Sequence, residues 1–140
     1  MKRTILLCCL IVMTVMGTFA QRTVYKTLAT SIRDMQTERF GRAQPVNIQI
    51  VREGNAAVMI DETLYKVIRV DRQSETDLHF AIQYTAQDSK GKEFVIKFVH
   101  EPKNKVELMR YQVMVMDTAA PYTWTYYFTD PPLTVTRSTR

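Results

Sequence analysis

The chain has 140 residues, a formal net charge of +5, 46% hydrophobic residues and two cysteines. This length allows one hydrophobic core of ordinary size but not two. The 19 basic residues are spread along the chain and form no basic run with interleaved aromatic residues, which argues against a nucleic-acid-binding protein.

The first twenty residues are typical of a secretory signal peptide. Lys2 and Arg3 precede an apolar run over residues 5–15, and the small residue Ala20 ends the segment. The apolar run is too short for a membrane helix, which needs about twenty residues. We therefore expect cleavage after Ala20, export of the chain, and no stable membrane insertion of the mature protein.

Cleavage at this point removes both cysteines, Cys8 and Cys9, and leaves 120 residues. It also removes the charges of Lys2 and Arg3, so the formal net charge falls from +5 to +3. An exported chain without cysteines forms no disulfide, and its fold depends on apolar burial. This composition favours a periplasmic or secreted protein of a Gram-negative bacterium over an animal extracellular module.

Residues 23–33 allow two interpretations. Val24, Leu28 and Ile32 are four residues apart, as on one face of a helix, but most residues of the segment are β-formers. We favour a strand, which makes the whole chain all-β. The alternative is an α+β fold in which a helix over residues 23–39 packs on a curved antiparallel sheet.

Residues 45–77 have a pattern that predicts three strands joined by tight turns. Gly54 and Asn55 are typical of a two-residue hairpin turn. The third strand is apolar on both faces, which indicates a bulge or a strand that is covered on both sides. The wholly polar stretch 72–77 is predicted to be a loop. The predicted strands are 46–50, 57–60 and 64–70.

The clearest pattern is a hairpin over residues 78–101. Apolar and polar residues alternate on both sides of a turn at Ser89-Lys90-Gly91, and Gly91 can take the left-handed conformation that a three-residue turn needs. Because the loop has odd length, even-numbered residues of both strands share one face. The predicted pairs are Asp88 with Lys92, Ala86 with Phe94, Tyr84 with Ile96, Ile82 with Phe98, and Phe80 with His100.

The C-terminal part predicts two further strands. The apolar face changes parity at Leu108 and Met109, which one β-bulge would explain. Two prolines follow the last strand, and we expect residues 131–140 to form a flexible tail. The last strand covers residues 122–128, and its even-numbered side chains are all aromatic: Tyr122, Trp124, Tyr126 and Phe128.

Seven strands, or eight with residues 23–33, predict an antiparallel up-and-down meander. Closing such a meander into a barrel removes its exposed edges. About eight strands enclose a space that side chains fill or that holds one small ligand. The expected organisation is a cleaved segment at 1–20, a single β-barrel domain at 21–130 and a tail at 131–140.

Several short stretches resemble small uncharacterised exported proteins of the Bacteroidetes that are lipocalin-like in general appearance. The resemblance covers about residues 40–130 and implies a lipocalin-like barrel. The Gly-x-Trp sequence of lipocalins is absent near the first strand, because Trp124 lies in the last one. The stretches are Gln44 to Ile50, Gly54-Asn55, Ile60-Asp61, Tyr65 to Ile68, and Asp88 to Gly91.

The residue pattern predicts no catalytic residue, no metal site and no cofactor. The mature chain has two histidines, His79 and His100, without the ligand spacing of a metal site or a glycine-rich phosphate loop. His79 is expected to face Glu101 as a surface charge pair, with no nucleophile beside it. We therefore expect a protein that is not an enzyme.

The aromatic residues predict a binding function instead. The expected ligand is a small apolar or amphipathic molecule held inside the barrel, since aromatic side chains combine large apolar area with polar tips. The alternative is a solid barrel whose outer face contacts another protein of the bacterial cell envelope. The residues expected to bind the ligand are Tyr84, His100, Trp124, Tyr126 and Phe128.

Overall fold

A computed structural model describes residues 21–136, which form an all-β chain. The predicted signal peptide, residues 1–20, lies outside the described residues, as do residues 137–140. One short 3₁₀ turn, Glu107–Met109, interrupts the strands. The strands are β1 (Gln21–Asp34), β2 (Arg39–Phe40), β3 (Gln44–Pro45), β4 (Gln49–Glu53), β5 (Ala57–Ile60), β6 (Thr63–Thr76), β7 (His79–Gln87), β8 (Glu93–His100), β9 (Tyr111–Asp117), β10 (Thr123–Thr129) and β11 (Leu133–Thr136).

Eight of these strands close into an antiparallel barrel. Strands β4 to β10 pair in chain order, and β1 closes the ring between β4 and β10. The short strands β2 and β3 pair with the edge of β1 that faces away from β10, while β11 continues β10 along β1. The predicted all-β barrel is therefore confirmed. The helical alternative for residues 23–39 is wrong, because 14 consecutive residues of β1 are extended.

The strands of the barrel are strongly staggered. Arg22, near the start of β1, pairs with Glu53, and following the paired residues once around the barrel leads back to Met35, the residue directly after β1. Stagger and strand number together set the tilt and width of a barrel. This barrel is consequently wide enough to hold several aromatic side chains in its interior.

The central hairpin of β7 and β8 has the predicted register. Phe80 pairs with His100, and the other predicted strand pairs follow in step to Ala86 and Phe94. Gly91 has a positive φ of 81°, and the Asp88 carboxylate accepts hydrogen bonds from the backbone N–H groups of Lys90 and Lys92. The odd-length turn therefore places the even-numbered residues of both strands on the inner face, as predicted.

Side chains fill the interior of the barrel. The enclosed residues come from six of its eight strands, and the other two strands, β6 and β10, add the partly buried Tyr65, Val67 and Tyr127. Burial of apolar area stabilises by about 25 cal/mol per Å². This term carries the stability of residues 21–136, which contain no cysteine and therefore no disulfide. The fully enclosed core residues are Tyr25, Ile50, Val58, Ile82, Tyr84, Ala86, Ile96, Phe98 and Val113.

The prediction of a loop at residues 72–77 is wrong, because β6 continues to Thr76. The register with β7 shifts twice, around Ile68 and Asp71. Each extra residue moves the following side chains to the other face, which destroys the simple alternation that predicts a strand. Beyond Val67 the second edge of β6 has no strand partner among the described residues, so polar side chains are tolerated there.

The predicted flexible tail is also wrong for residues 133–136. These residues form β11, in which Leu133 pairs with Val24 and Thr136 with Gln21. Pro131 and Pro132 interrupt the strand because proline has no N–H to donate, but the chain resumes pairing along the same edge of β1.

Two turns differ from their predicted form. Glu53 pairs with Ala57, so the loop at Gly54 has three residues rather than two. The predicted bulge at residues 108–109 is instead the 3₁₀ turn Glu107–Met109, after which β9 begins at Tyr111. Both turns still reverse the chain where the sequence predicts a reversal.

Candidate functional site

The five predicted binding residues lie in two separate places. Tyr84 faces the interior, and His100 does so near one end of the barrel. Tyr127 pairs with the core residue Val113 and packs against the core, so the side chains before and after Tyr127 point outwards. The prediction that Trp124, Tyr126 and Phe128 line the interior is therefore wrong: these three residues lie on the outer face of β10.

Other parts of the chain nevertheless bury two of these outer aromatic rings. Tyr126 is 6% exposed and Phe128 is 4% exposed. The Phe40 ring packs edge-on against Tyr126, with 4.9 Å between ring centroids. Gly41 allows this approach, since a Cβ at that position would lie 3.2 Å from the Ile32 carbonyl oxygen. Strand β2 thus brings Phe40 onto the outer aromatic face.

An apolar cavity of about 210 Å³ opens beside these aromatic residues, and we name it the outer groove. Its wall includes the buried Phe128 ring, while three of its apolar side chains are substantially exposed: Phe40 at 41%, Leu108 at 41% and Val106 at 53%. A cavity rimmed by exposed apolar side chains is unusual on a surface where such residues normally occur singly. The outer groove is lined by Ser31, Phe40, Gly41, Ala43, Val106, Leu108, Met109 and Phe128.

A cationic side chain lies next to the outer groove. The Arg33 guanidinium carbon is 5.0 Å from the centroid of the Phe40 ring, and Nη1 donates a hydrogen bond to the Tyr126 hydroxyl at 3.3 Å. Arg33 Nε is buried and has no hydrogen-bond partner. Within residues 21–136 no carboxylate forms an ion pair with Arg33, so its charge is balanced only by aromatic and hydroxyl groups.

A second group of polar side chains lies inside the barrel, and we name Tyr25, Arg52, Tyr84 and His100 the interior cluster. The Tyr25 hydroxyl is 2.7 Å from His100 Nε2. Arg52 Nη1 donates to the Tyr84 hydroxyl at 3.2 Å, and that hydroxyl donates to Asn55 Oδ1 at 2.7 Å. These bonds tie β1 to β8, and β7 to β4 and its hairpin turn, across the interior.

Aromatic rings surround the guanidinium of the interior cluster. The Arg52 guanidinium carbon is 5.6 Å from the centroid of Phe80 and 5.7 Å from that of Phe98. Burial, together with the positive charge of Arg52, lowers the pKa of His100 to about 4. Burial raises the pKa of Tyr25 to about 12, although Arg52 acts in the opposite direction. At neutral pH, His100 is therefore uncharged and Tyr25 protonated.

Sequence reasoning missed both arginines, because arginine usually extends into solvent. A signal for Arg52 was available: Ile48, Ile50 and Arg52 share one parity, and Ile50 belongs to the core. No comparable signal marks Arg33, since its aromatic neighbours come from β2 and β10. The predicted charge pair of His79 with Glu101 is not formed among the described residues; β8 ends at His100, and the Glu101 N–H bonds to the Arg110 carbonyl.

Within residues 21–136, no group of three or more His, Cys, Asp or Glu side chains could hold a metal ion. In the same part of the chain, no helix has the length and apolar character needed to cross a membrane. Comparison of the chain with protein-family models, with curated proteins and with solved structures found no match.

Proposed function

We propose that the mature chain is an exported, non-catalytic β-barrel that binds another protein of the cell envelope through the outer groove. The partner inserts one large apolar side chain into the groove and places an acidic group beside Arg33. The observation that carries this proposal is the apolar cavity bounded by Phe128 and rimmed by the exposed Phe40, Val106 and Leu108.

The size of the cavity favours a protein partner over a small molecule. Sites for small molecules usually enclose about 300–1,000 Å³, whereas the outer groove encloses about 210 Å³. That volume is suited to one anchoring side chain of the kind that dominates the energy of protein interfaces. The interior of the barrel, where the sequence predicts a small ligand, is filled by its own side chains.

The charge beside the groove supports an acidic group in the partner. Arg33 has aromatic and hydroxyl neighbours but no carboxylate partner among residues 21–136. A carboxylate from another chain would form charge-assisted hydrogen bonds with the guanidinium, which are roughly twice as strong as neutral ones. Charge complementarity of this kind mainly sets the specificity of a complex and its rate of association.

Export is supported by the sequence alone. The basic start, the apolar run over residues 5–15 and the small residue Ala20 are the pattern that directs a chain through the secretory route. A periplasmic or secreted location would bring the outer groove into contact with other envelope proteins. Detection of the mature N-terminus at Gln21 in the exported fraction would test this part of the proposal.

Site-specific photocrosslinking in native cells tests the binding surface. A photoreactive residue at Val106 is expected to crosslink to one discrete envelope protein. The matched control is the same residue at Leu64, which is 52% exposed but lies on β6, outside the groove. Adding Leu108→Asp to the Val106 probe should abolish the crosslink, because it places a charge in the apolar groove.

Three results would contradict the proposed interaction. Equal crosslinking at Val106 and Leu64 would indicate non-specific contact. A crosslink between two copies of this chain would indicate self-association instead of an envelope partner. Crosslinking that survives Leu108→Asp would show that the groove does not hold the partner.

A small apolar ligand in an extended groove is the second candidate function. A neighbouring cavity of about 370 Å³ shares Leu108 with the outer groove and includes the exposed Leu28. The two cavities together would accommodate a short acyl chain. Titration with fatty acids, followed by the fluorescence of the single tryptophan, Trp124, tests this candidate, and an unchanged spectrum at saturating ligand would reject it.

A further inference from the structure

A larger cavity lies on another part of the barrel, over strands β6 to β8. It encloses about 450 Å³, which is within the usual range for small-molecule sites. It forms where the pairing of β6 with β7 shifts between Val70 and Arg72, because a bulge bends the strand and redirects its side chains. The lining residues are Arg72, Gln73, Ser74, His79, Ala81, Ile82, Gln83 and Lys97.

The lining of this cavity is cationic and contains no carboxylate. Neither Arg72 nor Lys97 forms an ion pair within the described part of the chain. The adjacent Asp71 is already occupied: Arg69 Nε donates to it at 2.6 Å and the Thr85 hydroxyl at 2.7 Å. The two cations of the cavity therefore have no internal counter-ion, while Gln73, Ser74 and Gln83 add neutral hydrogen-bonding groups.

We infer that this cavity binds a small molecule that carries one oxyanion group on an apolar body. Arg72 and Lys97 would hold the oxyanion by charge-assisted hydrogen bonds, and the neutral amide and hydroxyl groups would supply further donors. Ala81 and the aliphatic stems of Arg72 and Lys97 provide the apolar part of the wall, because the Ile82 side chain is enclosed in the core. A phosphate, a sulfate or a carboxylate all meet this description, so the probes must separate them.

The test is a ¹H–¹⁵N NMR titration of the mature chain at constant ionic strength with phenyl phosphate, phenyl sulfate, benzoate and inorganic phosphate. We expect saturable shifts confined to residues 72–74, 79–83 and 97 for at least one aromatic oxyanion. That probe should bind more tightly than inorganic phosphate, because only the aromatic probes carry an apolar body. The preferred group among the three aromatic probes identifies the oxyanion.

Charge-removing variants give the decisive comparison. Arg72→Gln and Lys97→Gln should each weaken binding by roughly tenfold or more, since each removes a hydrogen bond to a charged group. The matched control is Lys66→Gln, which removes the same charge from β6 at a residue outside the cavity and should leave the affinity unchanged. Thermal unfolding of each variant confirms that the chain remains folded.

Three outcomes would overturn the inference. These are shifts that rise linearly without saturation for every probe, shifts dispersed over the surface, and equal weakening by Lys66→Gln and Arg72→Gln. The inference is independent of the proposed partner binding, because the cavity and the outer groove share no lining residue.

Discussion

Arg52 inside the barrel and Arg33 on its outer surface have nearly the same immediate neighbours. Each guanidinium lies over a phenylalanine ring, donates a hydrogen bond to a tyrosine hydroxyl and has a buried Nε without a partner. The difference lies in what surrounds them. Core side chains enclose the interior cluster, whereas Arg33 borders an exposed groove. The same local chemistry is therefore enclosed in the core in one place and lies beside an exposed groove in the other.

The largest expected effect is on stability, because the aromatic ring beside Arg52 is buried and the one beside Arg33 is partly exposed. Phe98→Ala removes a fully enclosed ring that packs on Tyr25 and under Arg52, and should lower the free energy of unfolding by about 3–5 kcal/mol. Phe40→Ala, its counterpart beside Arg33, should cost about 1 kcal/mol, since Phe40 is 41% exposed and its burial is only partial. Urea denaturation of both variants measures the difference, and equal losses would remove the distinction between the regions.

Acid pH should weaken the interior cluster specifically. The pKa of His100 is about 4 in the folded chain and about 6.5 when unfolded, so between these values the unfolded state binds the extra proton. Uncharged His100 therefore adds to the free energy of unfolding. This contribution is complete above pH 6.5 and is lost as the pH falls towards 4. We expect it to be roughly 2 kcal/mol, reduced by solvent screening of the partly exposed ring.

The measurement is the free energy of unfolding at pH 7 and at pH 4.5 for the wild type, His100→Gln and His79→Gln. Carboxyl groups also titrate in this range. The His100 contribution is therefore the stability lost on acidification by the wild type minus the stability lost by His100→Gln. His100→Gln should lose less stability on acidification than the wild type does. His79→Gln serves as the control, and an identical loss in all three proteins would contradict the assignment.

Removal of one hydroxyl gives a closely matched comparison of the two arginines. Tyr84→Phe leaves Arg52 Nη1 and Asn55 Oδ1 in the interior without this hydrogen-bond partner and should cost about 1–2 kcal/mol. Tyr126→Phe removes a single bond of 3.3 Å to Arg33 and should cost about 0.5 kcal/mol, because the Tyr84 hydroxyl also bonds to Gly54 and Asn55. Thermal unfolding distinguishes them, and a larger loss for Tyr126→Phe would reverse the comparison.

The smallest expected effect on stability belongs to the outer groove itself. Leu108→Asp changes an exposed side chain that contributes little to the core, so unfolding should change by no more than about 0.5 kcal/mol. The same substitution should abolish crosslinking from Val106. If Leu108→Asp instead unfolds the chain, the groove is a structural contact of the fold and not a binding surface.

Sequence reasoning was most accurate where contacts are local. The hairpin of β7 and β8 depends on a short turn and on the alternation of neighbouring residues, and its whole register was predicted. It failed for β10, where one face carries Tyr126 and Phe128 and the other carries Tyr127 between two threonines. Aromatic content favours the wrong face there, because strands distant in the chain decide which side is inside.

The sequence by itself predicted strands that reverse at short turns and apolar faces sufficient for one core, and it favoured an all-β chain while leaving residues 23–33 open between strand and helix. Only the tertiary structure decided that β1 closes the ring with β10, that β11 extends β10 along β1, and that Phe40 and Met109 cover the outer side of β10. The physical reason is separation along the chain. The alternation of apolar and polar residues indicates a strand and its two faces. Which face lies inside depends on partners about a hundred residues away, and these leave no local pattern in the sequence.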